Sequence, residues 1–137
     1  MPHCSMEYAC TTCCKQKRRD KQLLPAIERY VSRRIRLVLT ESRRHHKPLL
    51  ILSGRFGLLE PDERIPWYDQ ALLPEAVDAL VPKVADQLVT RRASALLFYA
   101  RPSKTRGWQP YYDVLEKACR RVNIRLTVRT LRGRSAH

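Results

Sequence analysis

No apolar run in this chain approaches the roughly 20 residues that a helix needs to cross a bilayer. The N-terminus lacks the basic-then-apolar order of a secretory signal. A cytoplasmic, non-membrane protein is therefore expected. The HExxH metalloprotease motif, the Walker loop, the dinucleotide fingerprint and the GxSxG elbow are all missing, which removes the enzyme classes they serve. A second CxxC is missing too. The five cysteines are Cys4, Cys10, Cys13, Cys14 and Cys119, and Cys10 and Cys13 form one CxxC near His3 and Cys4. A closed structural zinc site usually draws on two such pairs. An odd count without a signal argues against a disulfide framework. Neither a metal nor a cofactor is expected.

Acidic residues are scarce. Against 27 Lys and Arg the 137-residue chain sets 13 Asp and Glu, for a net charge of +14. Such an excess points to a polyanionic partner, most simply nucleic acid or a nucleotide; the competing reading is an Arg-rich, merely solvated surface. Residues 15–47 hold twelve Lys or Arg against three acids, and residues 91–134 hold twelve against two. The interval from Glu60 to Asp86 is acidic.

The chain reads as one α/β domain over residues 1–137, with no repeat and no linker. A short strand is expected at 7–12, followed by a basic loop, Lys15 to Lys21. Leu24, Ile27, Val31, Ile35 and Val38 recur at helical spacing, and Pro25 suits the first turn of that helix. The arginines opposite, Arg29, Arg33 and Arg36, are read mostly as a solvated face. Leu49-Leu50-Ile51-Leu52 and Ala95-Leu96-Leu97-Phe98-Tyr99 are continuous apolar runs, the mark of strands buried on both faces. Pro74 opens a second helix, which Pro82 should kink or split. Pro110 opens a third, with Tyr111, Leu115, Ala118 and Val122 on one face. Ile124, Leu126 and Val128 alternate with polar residues, as on an edge strand. The order β-α-β-α-β-α-β predicts a four-stranded parallel sheet (7–12, 49–53, 95–100, 123–129) with helices on both faces. Ligands of such sheets bind beyond the carboxyl ends of the strands. The loops there, Cys13 to Lys21, Ser53 to Asp69, Ala100 to Trp108 and Thr130 to Arg134, all carry Lys or Arg.

The loop Ser53-Gly54-Arg55-Phe56-Gly57-Leu58-Leu59, continued through Pro61-Asp62 to Trp67-Tyr68-Asp69, is long for so small a domain. Its two glycines permit tight turns, and exposed amides there would suit a phosphate or a base edge. Asp69 suits a general base or an acceptor for a base edge or ribose; equally it suits a cap for the next helix. Tyr68 and Trp67 offer stacking faces, although core packing of the loop is the better reading of Trp67. Lys17 suits an anion contact, a desolvated nucleophilic amine or an ordinary solvated lysine. Cys13 is read as a small buried hydrophobe before a nucleophile. Tyr99, Arg101 and Lys104 end the third strand, where Arg101 and Lys104 would meet phosphate. His45 and His46 are expected to be exposed.

The run LILSGRFGLLEPDERIPWYDQAL resembles the signature of a family of small uncharacterised bacterial and phage proteins: a strand, Ser-Ala/Gly-Lys/Arg-Tyr/Phe-Gly-Leu-Leu, Pro-Asp, then Pro-x-Tyr-Asp. It is similar to a motif of the YaaA-type peroxide-stress proteins. Cys13-x-x-x-Lys17 resembles an element of the lysine-transfer domain of archaeosine synthase. The resemblance covers residues 7–104. It implies a three-layer α/β/α sandwich of the uracil-DNA glycosylase kind. Residue chemistry and position at the strand ends, rather than the resemblance, nominate Lys17 and Asp69 as catalytic and place Cys13, Ser53, Gly54, Arg55, Phe56, Gly57, Tyr68, Tyr99, Arg101 and Lys104 around the substrate. Two functions are expected to compete: an enzyme acting on a nucleobase, nucleotide or modified nucleoside, and a non-catalytic, stress-related nucleic-acid-binding protein.

Overall fold

The apolar runs form the centre of the molecule. The computed structural model describes residues 5–131. In chain order its elements are β1 (Met6–Thr12), β2 (Leu24–Pro25), α1 (Ala26–Arg29), α2 (Arg33–Arg44), β3 (Leu49–Ser53), β4 (Gly57–Leu59), β5 (Arg64–Ile65), a 3-10 turn (Pro74–Ala76), α3 (Val77–Thr90), β6 (Ala93–Ala100), α4 (Gln109–Arg121) and β7 (Arg125–Thr130). The main sheet runs β4-β3-β1-β6-β7, and β2 pairs with β5 in a separate antiparallel ribbon. β3, β1, β6 and β7 are mutually parallel, so their carboxyl ends share one edge. Alternate residues of the inner strands face opposite sides. Cys10, Leu50, Leu52, Leu96 and Phe98 pack with α3 and α4, while Ala9, Leu49, Ile51 and Tyr99 pack with α1 and α2. No helix among the described residues is long and apolar enough to cross a membrane.

Three expectations need correcting. The sheet has five strands, not four, and the fifth is antiparallel: β4 folds back on β3, pairing Leu59 with Ile51 and Leu58 with Leu52. The turn is made by Ser53, whose Oγ accepts the Arg55 and Phe56 amides at 3.1 Å each, and by Gly57 at φ 76°. β4 has three residues, too few to show a period of two.

The helix expected through Ile27, Val31 and Ile35 is interrupted. α1 is a single turn, Tyr30 is extended and bridges to Lys17, and Ser32 caps α2 by accepting the Ile35 amide at 3.2 Å. Val31, counted on the apolar stripe, is 50% exposed. Arg29, read as solvated, is fully buried.

α3 runs unbroken through Pro82. The ring lies on the exposed face, where water can take up the carbonyl left free one turn back. His3 and Cys4, and residues 132–134 of the last loop, lie outside the described residues.

Candidate functional site

The carboxyl edge of the parallel strands opens into a groove. One part, about 750 Å³, is lined by Cys13, Lys15, Lys17, Arg34, Asp69, Arg101, Arg106, Trp108 and Tyr111, among others. A contiguous part, about 880 Å³, shares Cys14, Lys15, Lys17, Arg34 and Asp69 and adds Arg19, Arg33, Trp67 and Tyr68. Among the described residues, the first part sets five cations (Lys15, Lys17, Arg34, Arg101, Arg106) against one carboxylate, that of Asp69. A further concavity of about 830 Å³ lies by the amino end of β3, where Arg43, His46 and Lys47 are mixed with Glu60 and Asp62. That mixture of signs defines no preference for an anion.

Buried arginines build the groove. Arg29, anchored on α1, donates to four carbonyls: Arg18 at 2.6 Å, Asp20 at 3.1 Å, Gln22 at 2.7 Å and Ile65 at 3.1 Å. It thereby ties the basic loop that carries Lys17 to the β5 segment that leads to Tyr68. Arg34, in the first turn of α2, reaches under the end of β1. It donates to Thr11 Oγ1 at 2.7 Å, the Thr12 carbonyl at 3.0 Å and the Cys13 carbonyl at 3.2 Å. Its guanidinium stands 5.0 Å from the centroid of the Trp108 ring. Burial, joined by the charge of Arg101, pulls its pKa below the ordinary arginine value.

Beside them lies a cluster of hydroxyls and thiols. Tyr68 Oη hydrogen-bonds Ser53 Oγ at 2.9 Å and is also paired with Tyr30 Oη. Both of Ser53's acceptor sites are taken by amides, so its hydroxyl donates to Tyr68, and Tyr68 in turn donates to Tyr30. Tyr111 Oη is 3.4 Å from Cys13 Sγ and accepts the Leu72 amide at 3.4 Å. Burial raises the pKa of Tyr30, Tyr68 and Tyr111 above the usual phenol value, so all three are neutral hydroxyls at neutral pH. Burial also pushes the Cys14 thiol up to about 11, and that thiol donates to the Gln16 carbonyl at 3.1 Å. A thiol so placed is a poor nucleophile.

The residues singled out from the sequence fall into three groups. Cys13, Lys17, Asp69 and Arg101 line the groove together. Lys17 Nζ donates to the Lys15 carbonyl at 3.2 Å and stands 4.5 Å from the centroid of the Tyr68 ring. Lys17 and Asp69 make no ion pair, and no side-chain hydrogen bond among the described residues holds Asp69. Asp69 does not cap a helix either: the next helical turn starts at Pro74, after Leu73.

Ser53, Gly54, Phe56 and Tyr68 form the wall behind the groove, while Gly57 faces Gln87 of α3. The Arg55 and Phe56 amides already bind Ser53, Gly54 lets the Leu72 backbone pass within 3.0 Å of where a Cβ would stand, and Phe56 packs edge-on to Tyr68 with centroids 5.2 Å apart. Tyr68 is 3% exposed, which leaves little face for a base, whereas Trp67 is 39% exposed with Arg19 over its ring at 5.1 Å. The loop aromatic on the outside is thus Trp67, the reverse of the expected order.

Arg55, Tyr99 and Lys104 stand apart. Arg55 is exposed beside the Phe56 ring, Tyr99 is buried on the α2 side of the sheet, and Lys104 is exposed outside the groove lining.

Sequence reasoning missed Arg34, Trp108 and the groove role of Tyr111. For Arg34 a signal existed: it stands beside Ile35 and four residues before Val38, on the buried face of α2. Among the described residues no group of three or more His, Cys, Asp or Glu is arranged to hold a metal.

Fold and groove define a small basic α/β domain with a cleft lined by Lys and Arg at the carboxyl edge of a mostly parallel sheet. The chain belongs to a family of unknown function, DUF6884, whose model matches residues 9–129, from within β1 to within β7. No curated protein and no solved structure matches the chain.

Proposed function

We propose that this domain binds a nucleotide or nucleic acid in the groove at the carboxyl edge of its sheet. The observation that carries the reading is the five-to-one excess of cations over carboxylates, among the described residues, around a concave cleft that also holds Trp108 and Tyr111. Cations bind the phosphates, and an aromatic face accepts any base. The position agrees with the rule that ligands of such sheets bind beyond the strand ends. A three-layer α/β/α sandwich related to the YaaA-type proteins is part of the same proposal, resting on the Ser53–Asp69 signature and on helices packed on both sheet faces.

A catalytic role on a base or modified nucleoside is the second reading. It is favoured by Lys17 and Asp69 lying on one lining. Against it stands Lys17's engagement with the Lys15 carbonyl and the Tyr68 ring.

The test is fluorescence anisotropy of a labelled single-stranded oligonucleotide at several salt concentrations. Binding should weaken as salt rises, with log K falling by about 0.7 per log unit of salt for each phosphate neutralised. Arg106→Gln, in the groove, should weaken binding; Arg129→Gln, on β7, should not. Absence of binding at low salt overturns the proposal, and so does an Arg106→Gln chain that binds like the parent.

A further inference from the structure

Arg34 carries a charge that no described residue neutralises. The residue is 6% exposed, and no carboxylate among the described residues pairs with it. Its groove neighbours are themselves cations: Lys15, Lys17, Arg101 and Arg106. A guanidinium has five N–H groups. Two on Nη1 and one on Nη2 meet Thr11 Oγ1 and the Thr12 and Cys13 carbonyls. The described residues supply no acceptor for the other two, on Nη2 and Nε. Arg29 Nε and Arg91 Nε are buried without a partner; Arg34 Nε is not among such atoms, and Arg34 lines both parts of the groove. Two N–H groups on one guanidinium match two oxygens of a single phosphate or carboxylate.

A cation buried to this degree without a counter-ion is costly unless an anion completes it. The anion must also reach the floor of the groove. A phosphodiester inside a strand is flanked on both sides by nucleosides and meets the exposed rim, Lys15 and Arg106. A phosphate at the end of a ligand enters tip first and carries nearly two charges rather than one.

We infer that Arg34 is the floor of a seat for a terminal phosphate, a phosphomonoester, with Arg101 beside it and the Trp108 indole as its wall. The inference rests on the nucleotide-binding reading and narrows it to ligands with a phosphorylated end, either a free mononucleotide or the end of a strand.

The experiment compares four probes on the full chain by calorimetry or anisotropy at fixed ionic strength. They are a nucleoside 5′-monophosphate, the same nucleoside without phosphate, and one oligonucleotide bearing either a 5′-phosphate or a 5′-hydroxyl. At least tenfold tighter binding is expected for the phosphorylated member of one or both pairs. Preference within the mononucleotide pair alone identifies a free nucleotide as the ligand, and preference within the oligonucleotide pair identifies a strand end. Inorganic phosphate should compete at millimolar concentration.

Arg34→Lys keeps the charge but loses the fork, and should abolish the preference. Should that buried change unfold the chain, as read by circular dichroism, Arg101→Gln serves in its place and should reduce the preference at least threefold. Equal binding of both members of both pairs by the parent overturns the phosphomonoester seat and leaves nucleic-acid binding standing. Undiminished preference in a folded Arg34→Lys or Arg101→Gln chain also overturns it. No binding of any probe overturns both readings.

Discussion

Replacing Tyr68 by phenylalanine removes one oxygen from the middle of a buried chain of hydroxyls. Ser53, Tyr30 and Tyr68 are 0%, 1% and 3% exposed, so water cannot readily replace what is lost. Ser53 donates to Tyr68, and Tyr68 donates to Tyr30. Two buried hydrogen bonds disappear, each contributing about 1 kcal/mol, and the Ser53 hydroxyl proton keeps only the Tyr30 oxygen within reach, a poorer bond that costs about 1 kcal/mol more. The expected loss of stability is about 3 kcal/mol. Tyr30→Phe removes one bond and orphans the Tyr68 proton, at about 2 kcal/mol. Once Tyr68 is phenylalanine, the Tyr30 hydroxyl keeps Ser53 as a side-chain partner. The double variant loses that contact too, about 1 kcal/mol beyond Tyr68→Phe alone, which leaves a coupling of about 1 kcal/mol. Urea unfolding followed by circular dichroism and by fluorescence measures all four chains. A Tyr68→Phe cost below about 0.5 kcal/mol, or single costs that simply add, would refute the directional chain.

Gly57→Ala forces a Cβ to within 2.4 Å of Gln87 Oε1 at φ 76°. Strain of about 1–2 kcal/mol combines with displacement of Gln87 from the Leu58 amide and the Phe56 and Leu58 carbonyls. A cost of about 2–4 kcal/mol in urea unfolding is expected, and a neutral effect would contradict the hairpin. Arg29→Met should leave the sheet intact while freeing four carbonyls of the basic loop and β5. Faster hydrogen exchange is expected around residues 16–22, and unchanged exchange there would show that Arg29 does not hold the loop.

Stability should also fall in alkali. Burial pushes Cys14 and Cys119 from 9.0 up to about 11, and raises the pKa of Tyr30, Tyr68 and Tyr111 above 10.0. Above pH 9 the unfolded chain loses these protons before the folded one does. Their contribution is thus full below about pH 9 and lost as pH climbs toward 11. A urea midpoint that holds steady or rises from pH 8 to 10.5 would contradict this.

Three of the five main-sheet strands were legible because Leu49–Leu52 and Ala95–Tyr99 are continuous apolar runs, and because Leu126 and Val128 alternate with polar neighbours; β1 was read as the short run 7–12 on a weaker pattern. β4 was not, since its three residues look like any apolar stretch in a loop and its pairing is fixed by distant Gln87. The helix break at Tyr30 was hidden for a similar reason. A stripe of Ile27, Val31 and Ile35 satisfies the helical period, but the Val31 amide binds the Gln16 carbonyl instead of continuing the helix. The site was legible as a place, the carboxyl edge, because strand ends follow from the strands. Its deepest cation was not. Composition counts Arg34 as one basic residue among many; its spacing from Val38 is the sequence sign that sets it apart from the solvated Arg33 and Arg36, and the packing of α2 against β1 is what buries it.

The central claim is that the carboxyl-edge groove is where this domain meets its phosphate-bearing ligand. Titrating ¹⁵N-labelled protein with a nucleoside 5′-monophosphate and mapping the amide shifts tests it most directly. Shifts should concentrate in residues 13–17, 69–73 and 101–111, with a side-chain Nε signal from Arg34 moving at the same ligand concentration. Shifts gathered instead at the opposite concavity, around Arg43, His46 and Lys47, or spread evenly over the basic surface, would contradict the account.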